Sequence, residues 1–274
     1  MKVGFRVTLL AGAAVLAATA ITLPAAATPL PGLVNLNFLN YTGASPKNYF
    51  NNVQPVGWTG GSGLIFIDSP GNSSNPASAC GATYLQTYTC PSTLGIKGGY
   101  NYVEADGNPY YESGFNYTVS GLTVGKTYTL SFYQAASQQT GFVGNNTNQW
   151  IVSLGTAGLS TTYLGGQMYS YGNTDGGATV VATPLMTIPS GSGVDWSYVT
   201  VNLTADAATQ VLSFLAWGNN GSSINVPPIA FLAGVNSAPG LNTGVPEPGV
   251  LGLFGAGLAA FGGLRLRRRS QKKS

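Results

Sequence analysis

Between Phe115 and Val235 apolar and polar residues alternate in short runs, each closed by Gly, Asn, Ser or Pro. In "FNYTV", Phe115, Tyr117 and Val119 point one way. In "TYTLSFY", Tyr128, Leu130 and Phe132 share a face opposite Thr127, Thr129 and Ser131. "WIVSLG" (Trp150–Gly155) is a further run, as are "TQVLSFLAWG" (Thr209–Gly218) and "IAFLAGV" (Ile229–Val235). In "WSYVTVNLTA", Trp196, Tyr198, Thr200 and Asn202 oppose Ser197, Val199, Val201 and Leu203. A period of two is the signature of a strand with unlike faces. "FNYTV" and "TYTLSFY", separated by Ser120–Lys126, predict an antiparallel hairpin with a short loop.

Loops such as "GNSSNPASA" and "YGNTDGGAT" punctuate the runs. No helical periodicity of ordinary length appears between residues 28 and 243. Low charge with abundant Gly, Asn and Ser fits disorder, but the aromatic and β-branched content opposes it, since such residues fill pleated, half-buried surfaces. Many short strands with frequent turns predict an all-β domain, a β-sandwich or jelly roll, over residues 28–243.

Two stretches break the alternation. Val7–Leu23 is almost wholly apolar, preceded by Lys2 and Arg6 and followed by Pro24 and Ala25–Ala27. That is the layout of a secretory signal peptide, residues 1–27; the alternative is a membrane-anchoring first helix. Gly249–Leu264 is also free of charge, and Arg265, Arg267, Arg268 and Arg269 follow it. As a helix its sixteen residues reach about 24 Å at ~1.5 Å each. A bilayer core measures about 30 Å. The span is therefore short, with arginines placed to hold one end on the cytoplasmic side. The alternative is a buried helix with a solvated tail.

Pro246-Glu247-Pro248, the apolar segment and the arginine cluster together resemble the PEP-CTERM sorting signal of exported Gram-negative proteins. That resemblance assigns residues 244–274 to a sorting or anchor segment. It implies an exosortase-type processing enzyme as membrane partner. It also implies a place at the cell surface or in an extracellular polysaccharide matrix. The order "GWTG", "YVEADG", "VSGLTVGKTYTLSF", "VPPIAFLAGV" is similar to galactose-binding-like jelly rolls that precede such tails. Gly234 stands where those domains commonly carry an Asp.

Charge sharpens the picture. The chain has 11 basic and 8 acidic residues, net +3. Eight of the basic residues lie in the two terminal segments, leaving only Lys47, Lys97 and Lys126 against seven of the eight acids, Glu247 being in the tail. The remainder is acidic at −4, with no cationic patch for nucleic acid. The chain has no histidine, which excludes Ser-His-Asp and Cys-His catalysis and His-bearing zinc sites. In an exported protein Cys80 and Cys90 are expected to pair in a disulfide, a free thiol being the alternative. No dinucleotide or phosphate-loop motif occurs, and no cofactor is expected.

Two candidate sites share "YVEADGNPYYES". Glu104, Asp106 and Asn108 alternate, and hard oxygen donors suit Ca2+; the plain alternative is solvated acids at a strand end. Glu104, Asp106 and Glu112 are also the carboxylates close enough in sequence for glycoside cleavage, which needs a pair at a fixed separation. Tyr110 and Tyr111 follow Pro109 in a loop-like setting, where rings are free to stack on a sugar while amides reach its hydroxyls. The four tryptophans are expected in the core. The leading expectation is a non-catalytic structural or adhesive surface protein. The alternative is a carbohydrate-binding module for exopolysaccharide, and a glycan-acting enzyme comes last.

Overall fold

The computed structural model describes residues 28–43, 48–49, 54–60, 63–68, 101–139, 141–224 and 226–235. The described residues are all-β. Their strands are β1 (Thr28–Pro29), β2 (Tyr41–Thr42), β3 (Asn48–Tyr49), β4 (Gln54–Pro55), β5 (Trp58–Gly60) and β6 (Ile65–Asp68). Then come β7 (Tyr102–Asp106), β8 (Gly114–Ser120), β9 (Thr127–Gln138), β10 (Asn146–Gly155), β11 (Leu159–Gly165) and β12 (Met168–Asn173). The last are β13 (Thr179–Ala182), β14 (Met186–Ile188), β15 (Gly193–Thr204), β16 (Thr209–Gly218) and β17 (Pro228–Ala233).

One sheet runs β1-β9-β17-β7-β6-β3, with β15 also paired to β9. The other runs β13-β10-β16-β8-β5, with β14 on β10. The alternation explains the layering. Phe115, Tyr117 and Val119 of β8 face one core together with Tyr128, Leu130 and Phe132 of β9 and Val199, Val201 and Leu203 of β15. Phe115 and Phe214 stack at its centre, 4.8 Å apart and 7° from parallel. Trp150 spans the layers: its indole N–H donates to the Phe231 carbonyl of the opposite sheet at 3.1 Å. All four tryptophans are buried.

The expected hairpin of "FNYTV" and "TYTLSFY" does not form. β8 pairs with β16 and β5, and β9 pairs with β15, β17 and β1, so the connection crosses from one sheet to the other. Both strands turn their apolar faces to the same core, but from opposite sheets. Cys80, Cys90, residues 1–27 and residues 244–274 lie outside the described residues, and so do the disulfide, signal-peptide and sorting expectations placed on them. No helix among the described residues is long and apolar enough to cross a membrane.

β11 and β12 form a separate antiparallel ribbon. Its two-residue turn, Gly166-Gln167, has φ of +58° and +65°, the paired left-handed geometry that tight hairpins favour. The ribbon packs on the outer side of the second sheet. There Leu159, Tyr169 and Tyr171 cover Ile151, Leu215 and Trp217, and Tyr171 meets Trp217 edge-on at 4.9 Å.

Candidate functional site

The stretch from Asn101 to Glu112 begins in the interior and ends at the surface. β7 lies between β6 and β17. Val103 and Ala105 face the shared core. Tyr102 on the opposite face meets Trp196 and Phe231 edge-on, at 6.1 and 5.8 Å. Glu104 and Asp106 share that outer face, by the alternation of the strand, and both are buried. The expectation of solvated strand-end acids is therefore corrected. Both carboxylates lie on the face where Tyr102, Trp196 and Phe231 pack, and that covered face is what keeps them from water. Burial pushes the Asp106 carboxyl up to about 7, against the lowering effect of the Asn108 backbone N–H. That N–H donates to Asp106 Oδ1 at 2.8 Å.

Asn108 does not turn its carbonyl toward the acids. Its Oδ1 accepts the Tyr110 N–H at 3.1 Å and so starts a 3-10 turn over Pro109–Tyr111. Among the described residues no group of three or more His, Cys, Asp or Glu is placed to hold a metal ion. Two buried acids and an occupied amide do not make the oxygen cage that calcium takes.

The turn carries Tyr110 and Tyr111 outward. They are 67% and 38% exposed, with rings 5.4 Å apart and nearly perpendicular. Glu112 ends the turn at φ +51°, an unfavourable conformation for a residue with a Cβ. Two contacts hold it there. Its Oε1 accepts the Thr161 N–H of β11 at 2.9 Å. Gly63 packs so closely beneath the turn that a Cβ would run into the Tyr111 carbonyl and the Ser113 backbone.

Beside the turn lies a groove of about 240 Å³ on the outer face of the second sheet. It is lined by Glu112, Gly114, Asn116, Leu159, Ser213 and Leu215, among others. Ser213 Oγ donates to Asn116 Oδ1 and accepts the Leu159 N–H at 3.0 Å. The second carboxylate oxygen of Glu112 and the amide N–H groups of Asn116 take no partner among the described residues. The groove therefore offers one acceptor and one donor group beside two exposed rings.

Sequence reasoning placed Tyr110 and Tyr111 in a loop but did not find Asn116, Ser213 or the β11–β12 ribbon that walls the groove. Asn116 and Ser213 sit at outward positions of strands that were legible, so their alternation carried the signal. Of the tyrosines just before the turn in the chain, Tyr100 lies outside the described residues. Tyr102 is buried. Glu104 and Glu112 are on different elements, the first in β7 and the second beyond the turn.

No family model matches the chain, and no curated protein matches it significantly. Among solved structures it is similar to the enzymatically active domain of tailspike protein 4 from bacteriophage CBA120, at 13% identity and TM-score 0.29. That match covers 73% of this chain and only 19% of the tailspike chain. A xylan-binding domain from Paenibacillus barcinonensis is similar at 10% identity and TM-score 0.31, over 70% of this chain and 95% of that one. A family 11 carbohydrate-binding module from Clostridium thermocellum, in complex with a mixed-linked tetrasaccharide, is similar at 12% identity and TM-score 0.30. It is matched over 71% of this chain and 95% of its own.

Proposed function

We propose that the β-sandwich is a non-catalytic carbohydrate-binding module of jelly-roll type on an exported surface or matrix protein. The observation that carries this reading is the outward Tyr110-Tyr111 pair beside the groove of Glu112, Asn116 and Ser213. Tyrosine rings combine a flat apolar face with a polar tip. A few convergent polar groups beside an apolar surface fix a ligand's orientation. An acidic remainder with few cations also suits a neutral polysaccharide better than an anionic one.

Affinity for immobilised neutral polysaccharides (xylan, mixed-linked glucan, galactan, mannan) tests the reading. Binding by the wild type and a tenfold or greater loss in the Tyr110→Ala/Tyr111→Ala double variant is expected, about 1.4 kcal/mol or more. Retention of full affinity by the double variant would exclude this groove.

Export and sorting belong to the same proposal and rest on the sequence features of residues 1–27 and 244–274. Intact mass of the protein in its native host should lack residues 1–27 and the segment beyond Pro248. A membrane-bound form that keeps Arg265–Arg269 would mean an anchor and no exosortase step.

A further inference from the structure

A second cavity, of about 370 Å³, opens where β10 begins beside the end of β14 and the loop after β16 turns. Its lining is neutral: Asn145, Asn146, Thr147, Thr187, Asn219 and Asn220 among the polar residues, with Ile224 and Val226 as an apolar wall. Among the described residues no charged one contributes. The volume lies within the range that small ligands occupy.

Its polar groups are only partly used. Asn219 Oδ1 accepts the Thr147 N–H at 3.2 Å, and Asn219 Nδ2 donates to the Val226 carbonyl at 3.3 Å. Asn145 Oδ1 accepts the Ser190 N–H at 3.0 Å. Asn146 is 3% exposed. Its Nδ2 reaches the same Val226 carbonyl at 3.4 Å, and its Oδ1 is buried with no hydrogen-bond partner. Buried acceptors are almost always paired, and one left open is unfavourable. Asn219, Asn220 and Gly221 are all left-handed, at φ +48°, +51° and +84°. Strained backbone of this kind concentrates at ligand sites.

We propose that this cleft is a second binding site for a neutral polyhydroxylated ligand, a saccharide unit, whose hydroxyls meet the side chains of Asn145, Thr187, Asn219 and Asn220. A cluster of amides and hydroxyls without charge matches a ligand that both donates and accepts. Ile224 and Val226 provide the apolar side that a sugar ring's C–H face needs. The inference rests on the carbohydrate-binding reading above and adds a site to it. From Ser213 in the groove to Asn219 in the cleft, β16 and its exit span roughly 20 Å at ~3.3 Å per residue. The two sites would therefore hold different units of one polymer, and joint engagement raises affinity without new contacts.

The test is a 15N–1H titration of the mature protein with D-galactose, D-glucose, cellobiose and xylobiose, and separately with CaCl2. It reads the side-chain amides of Asn116, Asn146, Asn219 and Asn220. Saturable shifts of the last three on at least one saccharide are expected. They should persist in Tyr110→Ala/Tyr111→Ala and weaken at least fivefold in Thr187→Val and in Asn220→Gly. Thr187→Val keeps side-chain shape, and Asn220→Gly keeps the left-handed backbone, so both should fold. Shifts at Asn116 alone would overturn the second site and leave the groove reading standing. Shifts at the cleft alone would do the reverse. Shifts with CaCl2 and none with the saccharides would overturn the saccharide assignment, and silence at all four amides would sink both.

Discussion

Asn101–Pro109 and Tyr110–Glu112 are neighbours in sequence and opposites in environment. The first nine residues are buried without exception, and the next two are exposed. Composition does not separate them, because each half holds tyrosine and acid. What separates them is the sheet. β7 is hydrogen-bonded on both edges, by β6 and β17, and its outer face is packed over by Trp196 and Phe231, so even its acids are buried. The chain leaves the sheet after Gly107, and the next element is a three-residue turn whose backbone hydrogen bonds are local. Polar chemistry in the inner half serves architecture. Only the outer half is placed to meet a ligand.

The largest test of that contrast removes Tyr102, whose ring fills the space between Trp196 and Phe231. Tyr102→Ala should cost about 3–5 kcal/mol of unfolding free energy, as aromatic truncations in a core do. Urea denaturation measures it. A loss under ~1 kcal/mol would mean that the outer face of β7 is not packed as a core, and the contrast with the turn would collapse.

Much of this was legible from alternation, and the boundary of legibility is physical. A period of two says which side chains share a face, and for Phe115–Val119, Tyr128–Phe132 and Val199–Leu203 it named the core face. It does not say which sheet a strand joins. The β8–β9 connection reads like a hairpin loop and is a crossover, because partner choice depends on β15, β16 and β17, more than 50 residues away. The burial of Asp106 has the same origin: Trp196 and Phe231 pack over its face of β7, and neither is local. The β11–β12 ribbon had a turn signal in Gly165-Gly166, but only Leu159, Tyr169 and Tyr171 mark its inward face, among Thr, Ser and outward Tyr. The asparagine cleft is assembled from three separate segments, a proximity that no spacing reveals.

A middling effect is expected at Asp106, and its sign is diagnostic. The folded carboxyl titrates at about 7, above the ordinary 3.8. The folded state therefore holds a proton that the unfolded state gives up between these values. Stability is full below about pH 4, declines as pH rises through about 7, and is then flat. The total is on the order of 2–4 kcal/mol. Asp106→Asn, neutral at every pH, should remove the decline and be more stable than wild type at pH 8. Urea midpoints at pH 4.5 and 8 decide it. Equal pH slopes in the two proteins would show that the carboxyl is not enclosed, and the inner half would then resemble the outer one.

The smallest effect falls on the boundary itself. Asn108 is buried with the inner half, yet its Oδ1 caps the Tyr110 N–H and so starts the outer one. Loss of a side-chain cap typically costs about 1 kcal/mol, and Asn108→Ala should lower stability by no more than that. Its backbone N–H is unchanged, so the bond to Asp106 Oδ1 persists and the pH slope should match wild type. The turn, though, would lose the bond that fixes where Tyr110 and Tyr111 stand. Affinity for a neutral polysaccharide should then fall several-fold while the fold stays intact, a split that a purely structural residue would not produce. If stability falls by ~1 kcal/mol and affinity is unmoved, the tyrosines do not need their turn, and the exposed half is a surface without a site.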